Sequence, residues 1–470
     1  MIMRSARPAG RERLGILTGS RALGAVAAGI LAVGLIAGQA SALSVSSNHV
    51  LNAGSTIAAD EAGSDITPSA VPGGGLTNGW LYDLGDRNGD GTRTDPVSTG
   101  NLDLGAYKLF TDGIDRDLYF NLNGGNLTGT NTFAIMTKDD TDTDNGDIVI
   151  TNVKNIACGI LATMAIDAQD ENAGNVQIGT ASLPANLIRV DGIKTYGLYK
   201  KRRAADCTIY ATNDVTVASE DGTPGSIEAH TGDPNINENG GDGGDIDVFH
   251  DGAFSAGDLT AYSDDAALSN PNGGRIYLNG DWPGDGASGS CVVSNLINYL
   301  SRVTYSEPNM DITITGYLSV HVKGDIDGSS TRGSDLHKSA ATDVFITNIV
   351  GDIEIDGLID LDYPGADYRG SLTLQTTGDG AIYLNDLDLT NMLYASFDSA
   401  RDATYIEGVV TNFSAGDSTI RTPAGQTVYY DESLNIHLGG AAFDLKALDG
   451  TSDGGQLVPE PSKGILILVK

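Results

Sequence analysis

The sequence predicts an all-β chain, a right-handed parallel β-helix, and three observations carry that expectation. Glycine supplies 62 of 470 residues. Of the 62 acidic residues, 51 are aspartate and 11 glutamate, and Asp and Gly favour turns while weakening helix interiors. A motif, Gly-x-(Ile/Leu)-x-apolar, recurs at Gly146, Gly244, Gly274, Gly351, Gly370 and Gly380, with a weaker copy at Gly225. Each copy reads as a turn followed by alternating apolar and polar residues, the period of a half-buried strand. The intervals are 19 residues from Gly225 to Gly244 and from Gly351 to Gly370, and 30 from Gly244 to Gly274. They suggest a period near 20 with insertions, as in a solenoid whose coils bury their apolar positions by stacking. About 13 to 15 coils, forming a rod on the order of 60 to 70 Å, follow. An antiparallel β-sandwich or propeller is the alternative, disfavoured because regular Asn-Gly hairpin turns are lacking.

In chain order, Arg4, Arg7, Arg11, Arg13 and Arg21 precede an apolar run from Ala22 to Gly38 and the small-residue stretch Ala40-Ser41-Ala42. This is the pattern of a secretory signal peptide spanning residues 1–42. Its removal leaves 23 basic and 61 acidic residues, net −38 against −34 for the whole chain. Such a charge argues against nucleic acid and anionic lipid as partners. Residues 43–100 are loop-rich, with Pro72-Gly73-Gly74-Gly75, and read as a leader or cap; 101–445 carry the repeat, and 446–457 read as a linker. Ile150-Thr151-Asn152-Val153 is echoed by Ile346-Thr347-Asn348-Ile349. The pair Gly244 and Gly274 reads as two coils separated by an insertion from Ser255 to Pro271, the first place to look for a ligand. Cys158, Cys207 and Cys291 have no metal or redox spacing; one disulfide plus a free thiol, or three buried thiols, are both open.

Oxygen-rich turns point to calcium. Asp86-Arg87-Asn88-Gly89-Asp90-Gly91 resembles the first half of dockerin and EF-hand loops, with side-chain oxygens at positions 1, 3 and 5 and the glycine a sharp turn requires. Position 12 is Val97, so Asp95 would have to act as the distal ligand. Asp140, Asp142 and Asp144 alternate in the same way, and the loops at Asp233–Asp242 and Asp325–Gly328 are weaker versions. The expected affinity is millimolar, of the extracellular type.

The last 13 residues open with Val458-Pro459-Glu460-Pro461. This box, together with the export signal, resembles the PEP-CTERM sorting signal. The resemblance implies an exported protein of a Gram-negative-type bacterium that makes extracellular polysaccharide, handled by exosortase-like sorting machinery. Only Gly464 to Val469 follow as an apolar stretch before Lys470, far short of the ~20 residues a membrane span needs. Residues 458–470 as written therefore provide no stable membrane span.

For an enzyme, β-helices that degrade acidic polysaccharides use paired carboxylates with a basic residue or calcium. Asp245/Asp247 with His250, and Asp264-Asp265, are the candidate pairs. Gly-His-Gly and Arg-Ile-Lys motifs are absent, and the six histidines show no zinc spacing. Lys200-Lys201-Arg202-Arg203, the one basic run after the signal segment, reads as a solvated loop. The expectation is a non-catalytic exported surface or matrix protein, structural, adhesive or associated with extracellular polysaccharide or cell-surface components; a carbohydrate-active β-helix lyase or hydrolase is the alternative. Carboxylates converging in a cleft would favour the enzyme, and evenly spread ladders the scaffold.

Overall fold

In Gly244-Asp245-Ile246-Asp247-Val248 the alternation resolves as expected: Ile246 and Val248 are fully buried, and Asp247 lies on the opposite face. The same choice repeats in segment after segment, and the apolar sides meet in a single core. The computed structural model describes residues 43–461, apart from 52–54, 59–64, 72–74, 87–99, 113–115, 140–144, 166–171, 198–203, 232–242, 263–273, 299–310, 330–341, 363–368 and 415–418. Its 36 strands form one sheet. Apart from a hairpin near each end, Ser69–Val71 with Gly75–Asp83 and Phe443–Lys446 with Asp453–Pro459, the strand pairings are parallel. The chain is a parallel β-solenoid with three faces, here A, B and C.

On face A the register runs Trp80, Leu118, Ile148, Val176, Cys207, Ile246, Ile276, Ile312, Val344, Leu372, Ala395, Ile420, one residue per coil. A coil therefore takes from 23 residues (Leu372 to Ala395) to 39 (Cys207 to Ile246), and the expected period near 20 is corrected. Gly225 and Gly244 open strands on faces C and A, and Gly351 and Gly370 open strands on faces B and A, so the 19-residue intervals are parts of a turn. The 30-residue step from Gly244 to Gly274 is a plain coil. Ser255 lies in the face B strand Phe254–Ser255, and Leu259–Thr260 follows on face C, so residues 255–262 of the supposed insertion belong to the regular coil, and 263–271 lie outside the described residues.

Two domain boundaries also move. Leu43–Ser44 and His49–Val50 already pair in parallel with Leu102–Asp103 and Leu109–Phe110, so the solenoid includes part of the segment read as a leader. The supposed linker at 446–457 contributes to the closing hairpin, whose strand Asp453–Pro459 also extends face B through Tyr429↔Val458 and Tyr430↔Pro459. Burial of Gln426, Tyr430 and Leu457 at this end explains why the chain continues in register instead of leaving the solenoid. Segments 1–42 and 462–470 lie outside the described residues, and among the described residues no helix is long and apolar enough to cross a membrane.

All three cysteines are free and buried. Cys207 sits between Val176 and Ile246 in the core column and Cys291 between Phe254 and Val320, each acting as a small apolar residue whose thiol pKa burial raises.

Side chains tie each coil to the next at the corners. Between faces A and B an asparagine ladder runs Asn101, Asn126, Asn155, Asn186, Asn213: each Nδ2 donates to the Oδ1 of the Asn one coil earlier, at 3.0, 2.9, 2.8 and 2.7 Å. Asn152 and Asn348, the echoed residues, both turn this corner with positive φ, 48° and 57°. Replacing Asn155 by alanine is expected to destabilise the protein by about 2 kcal/mol, because it strips the partner from both Asn126 and Asn186. Denaturant midpoints measure this, and an Asn155→Ala variant matching wild type would remove the ladder's structural role. Between faces C and A, Thr137 Oγ1 donates to the Gly146 carbonyl at 2.7 Å and Thr195 Oγ1 to that of Ala205 at 2.6 Å. These clamps close the bases of segments joining C to A.

Candidate functional site

The predicted calcium ligands Asn88, Asp90 and Asp95, and Asp140, Asp142 and Asp144, lie outside the described residues, as do Asp233–Asp242, Asp264-Asp265 and Lys200–Arg203. Asp86 is described: it is 7 % exposed, follows the face A strand Gly75–Asp83, and its amide donates to the Asp83 carbonyl at 3.1 Å. Asp83 accepts from the Gly85 amide at 2.8 Å and from Asn121 Nδ2 at 3.1 Å, tying this turn to the next coil. Among the described residues no group of three or more His, Cys, Asp or Glu is placed to hold a metal ion.

The polar residue at the start of several successive face A strands has a shared role. Asp117 Oδ1 accepts the amide of Asp147 at 2.9 Å, Asp147 that of Asn175 at 2.7 Å, Asn175 that of Asp206 at 2.9 Å, Asp206 that of Asp245 at 2.9 Å, and Asp245 that of Arg275 at 3.0 Å. The same bond recurs from Asp343 to Ser371 on face A and from Asp352 to Ala381 on face B, both at 2.8 Å. Much of the aspartate in the Gly-Asp-Ile motif thus serves coil stacking. Sequence reasoning found the motif but not this partner, which lies a whole coil away.

Asp245 and Asp247 do come together with a cation. Arg275 Nε and Nη2 reach both oxygens of Asp247, at 2.9 and 2.6 Å, and Nε lies 3.4 Å from Asp245. Burial raises the pKa of Asp245, with the Arg275 amide and charge opposing it. His250 does not join them. It points inward, is fully buried, and its Nε2 lies 2.7 Å from the Tyr317 hydroxyl. Desolvation lowers its pKa to about 4. The pairing of His250 with Asp245/Asp247 considered from the sequence is therefore corrected: alternation along Ile246–Phe249 and the turn after it puts the imidazole on the core side.

Face C carries a second polar surface in three consecutive coils. Lys194 and Glu228 are register partners, with Nζ 3.1 Å from Oε1, and Ser226 Oγ holds the same oxygen at 2.5 Å. Beside them Tyr196, His230 and Tyr262 stack, with ring centroids 5.5 and 4.6 Å apart and planes within 4° and 12°. Desolvation between the two tyrosines lowers the His230 pKa to about 4, Glu228 opposing and Lys194 adding to the shift. A similar column on face B joins Tyr383, Tyr405 and Tyr429 at 5.3 and 5.2 Å. In both columns the rings cover each other's faces, so they reinforce coil stacking and present edges outward.

No protein-family model matches this chain, and no curated protein or solved structure matches it either. The reading of the site therefore rests on its own chemistry.

Proposed function

We propose that this chain is an exported, non-catalytic surface or matrix β-solenoid that associates with extracellular polysaccharide. The observation that supports it best is the distribution of carboxylates. Asp117, Asp147, Asp206 and Asp245, and again Asp343 and Asp352, are spread along the stack and engaged in coil-to-coil bonds, the pattern of a scaffold. Among the described residues, the candidate pair Asp245 and Asp247 is engaged by an ion pair with Arg275. Export follows from the signal pattern of residues 1–42 and from the likeness of Val458–Pro461 to a PEP-CTERM box. The purified protein is expected to co-sediment with polysaccharide from the producing bacterium without releasing reducing ends. Failure to sediment with it would overturn the glycan association, and steady release of reducing ends would overturn the non-catalytic reading.

Calcium at the oxygen-rich turns around Asp86–Asp95 and Asp140–Asp144 belongs to the same proposal. A few millimolar calcium is expected to raise Tm through binding to the folded state. An unchanged Tm across a titration to about 10 millimolar, roughly tenfold above the weakest Kd of extracellular modules, would remove calcium from it.

A further inference from the structure

The corner between faces B and C is floored by glycine. A Cβ on Gly257 would lie 2.8 Å from the Gly225 carbonyl oxygen, and one on Gly225 would collide with the Asp191 carbonyl, so the coils approach too closely there for side chains. What remains is a trough of about 420 Å³, bounded by Ile160 and Lys194 and lined by Asp191, Ser226, Asp258 and Ser294. Those residues come from five successive coils; four steps of about 4.8 Å make the trough roughly 19 Å long, running along the stacking direction. That is the dimension of an extended polymer, and the volume falls in the usual ~300–1,000 Å³ range of ligand sites.

Five main-chain carbonyls along the trough are already paired. Gly257 donates to Gly225 O at 2.6 Å and Ser294 to Gly257 O at 3.0 Å, while the carbonyls of Gly192, Ser226 and Asp258 accept from Leu161, Ile193 and Ile227 at 3.1, 3.0 and 3.0 Å. A peptide strand added here would find those acceptors taken. Side chains remain for recognition: the carboxylates of Asp191 and Asp258, the hydroxyl of Ser294, and the ammonium of Lys194, which Glu228 holds in place. Carboxylates accept hydrogen bonds from hydroxyl groups, and the ammonium and the serine hydroxyl donate to ring and glycosidic oxygens. With Lys194 matched by Glu228, Asp191 and Asp258 leave the trough negative, which disfavours uronate, sulfate and phosphate groups.

We propose that this trough is the glycan-contacting site, and that it takes an extended, uncharged polysaccharide chain. The inference rests on the glycan-associated reading above and adds where the chain lies and what charge it has. The test is calorimetric titration of wild type, Ser294→Trp and Asp191→Asn with tetrasaccharides of neutral hexoses, of N-acetylhexosamines and of uronates, folding being checked by circular dichroism. Wild type is expected to bind at least one neutral tetrasaccharide, with the uronate at least tenfold weaker. Ser294→Trp, which fills the trough from its rim, and Asp191→Asn, which removes a charged acceptor, are each expected to weaken neutral binding tenfold or more. Neutral binding that both folded variants retain, or a preference for uronate, would overturn the trough assignment while leaving glycan association intact. A wild-type protein that binds no tetrasaccharide yet sediments with whole polysaccharide would likewise overturn only the trough; failure in both assays would overturn both.

Discussion

Replacing Gly274 by alanine is expected to destabilise the protein by about 3 kcal/mol or more. The added Cβ would fall inside the envelope of the Gly244 carbonyl oxygen, and 3.0 Å from that of Ala261. Neither neighbour is a flexible side chain tip. Both are backbone in coils already held at hydrogen-bonding distance by Ile246↔Ile276 and Asp247↔Tyr277, so relief requires opening the stack. Gly222 provides the control: its φ is 85° and nothing lies within 4 Å of its missing Cβ. Gly222→Ala should lose only the ~1–2 kcal/mol of a left-handed conformation. Urea midpoints for both variants, compared at unchanged m-value, make the measurement. Equal losses at the two sites would mean that the coil contact at Gly274 costs no more than the left-handed φ at Gly222.

A second large effect is expected on acidification. His250 has a pKa of about 4 in the folded chain, because burial penalises the imidazolium more than the nearby Asp214 and Asp251 favour it. Its ordinary value is 6.5. Between pH 6.5 and 4 the unfolded chain therefore binds a proton at this residue that the folded chain does not. Stability is fully present above 6.5 and falls as pH drops toward 4, by about 3 kcal/mol from this residue. His230 shifts in the same direction. Asp191, Asp245, Asp311 and Asp360 act oppositely: burial raises their pKa values, so the folded chain takes up protons more readily at the low end of the window. Comparison of wild type with His250→Gln, which can still bond the Tyr317 hydroxyl, isolates the imidazole. Between pH 7.5 and 4.5 wild type should lose about 2 to 3 kcal/mol more than the variant; parallel losses would show that His250 is protonated without cost where it sits.

Fold class was legible in the sequence because glycine, aspartate and an alternating apolar pair recur together, and few architectures use that combination so often. Coil length was not. Gly225, Gly244 and Gly351 mark strand starts on faces C, A and B, and all three look alike in sequence because each corner needs the same sharp turn and the same buried isoleucine. The asparagine ladder escaped notice for a related reason. Its members are 25, 29, 31 and 27 residues apart, and irregular spacing hides a column that is regular only in space. His250 was misplaced because it was grouped with Asp245 and Asp247 by nearness in sequence, whereas the alternation Ile246, Val248, His250 carries it to the core face. The trough had no sequence signal, since it consists of what glycines leave out.

Each link in the polar column beside face A includes a bond to a main-chain amide, which Asn175 Nδ2 and Ser371 Oγ supplement. Arg275 occupies one position in it and still donates its amide to Asp245. A coil held by such contacts does not inspect the residue types of its successor. Whole turns can then be duplicated, exchanged or deleted between ancestral genes with the stacking preserved, which gives this architecture a way to lengthen and diversify by recombination in units of one coil.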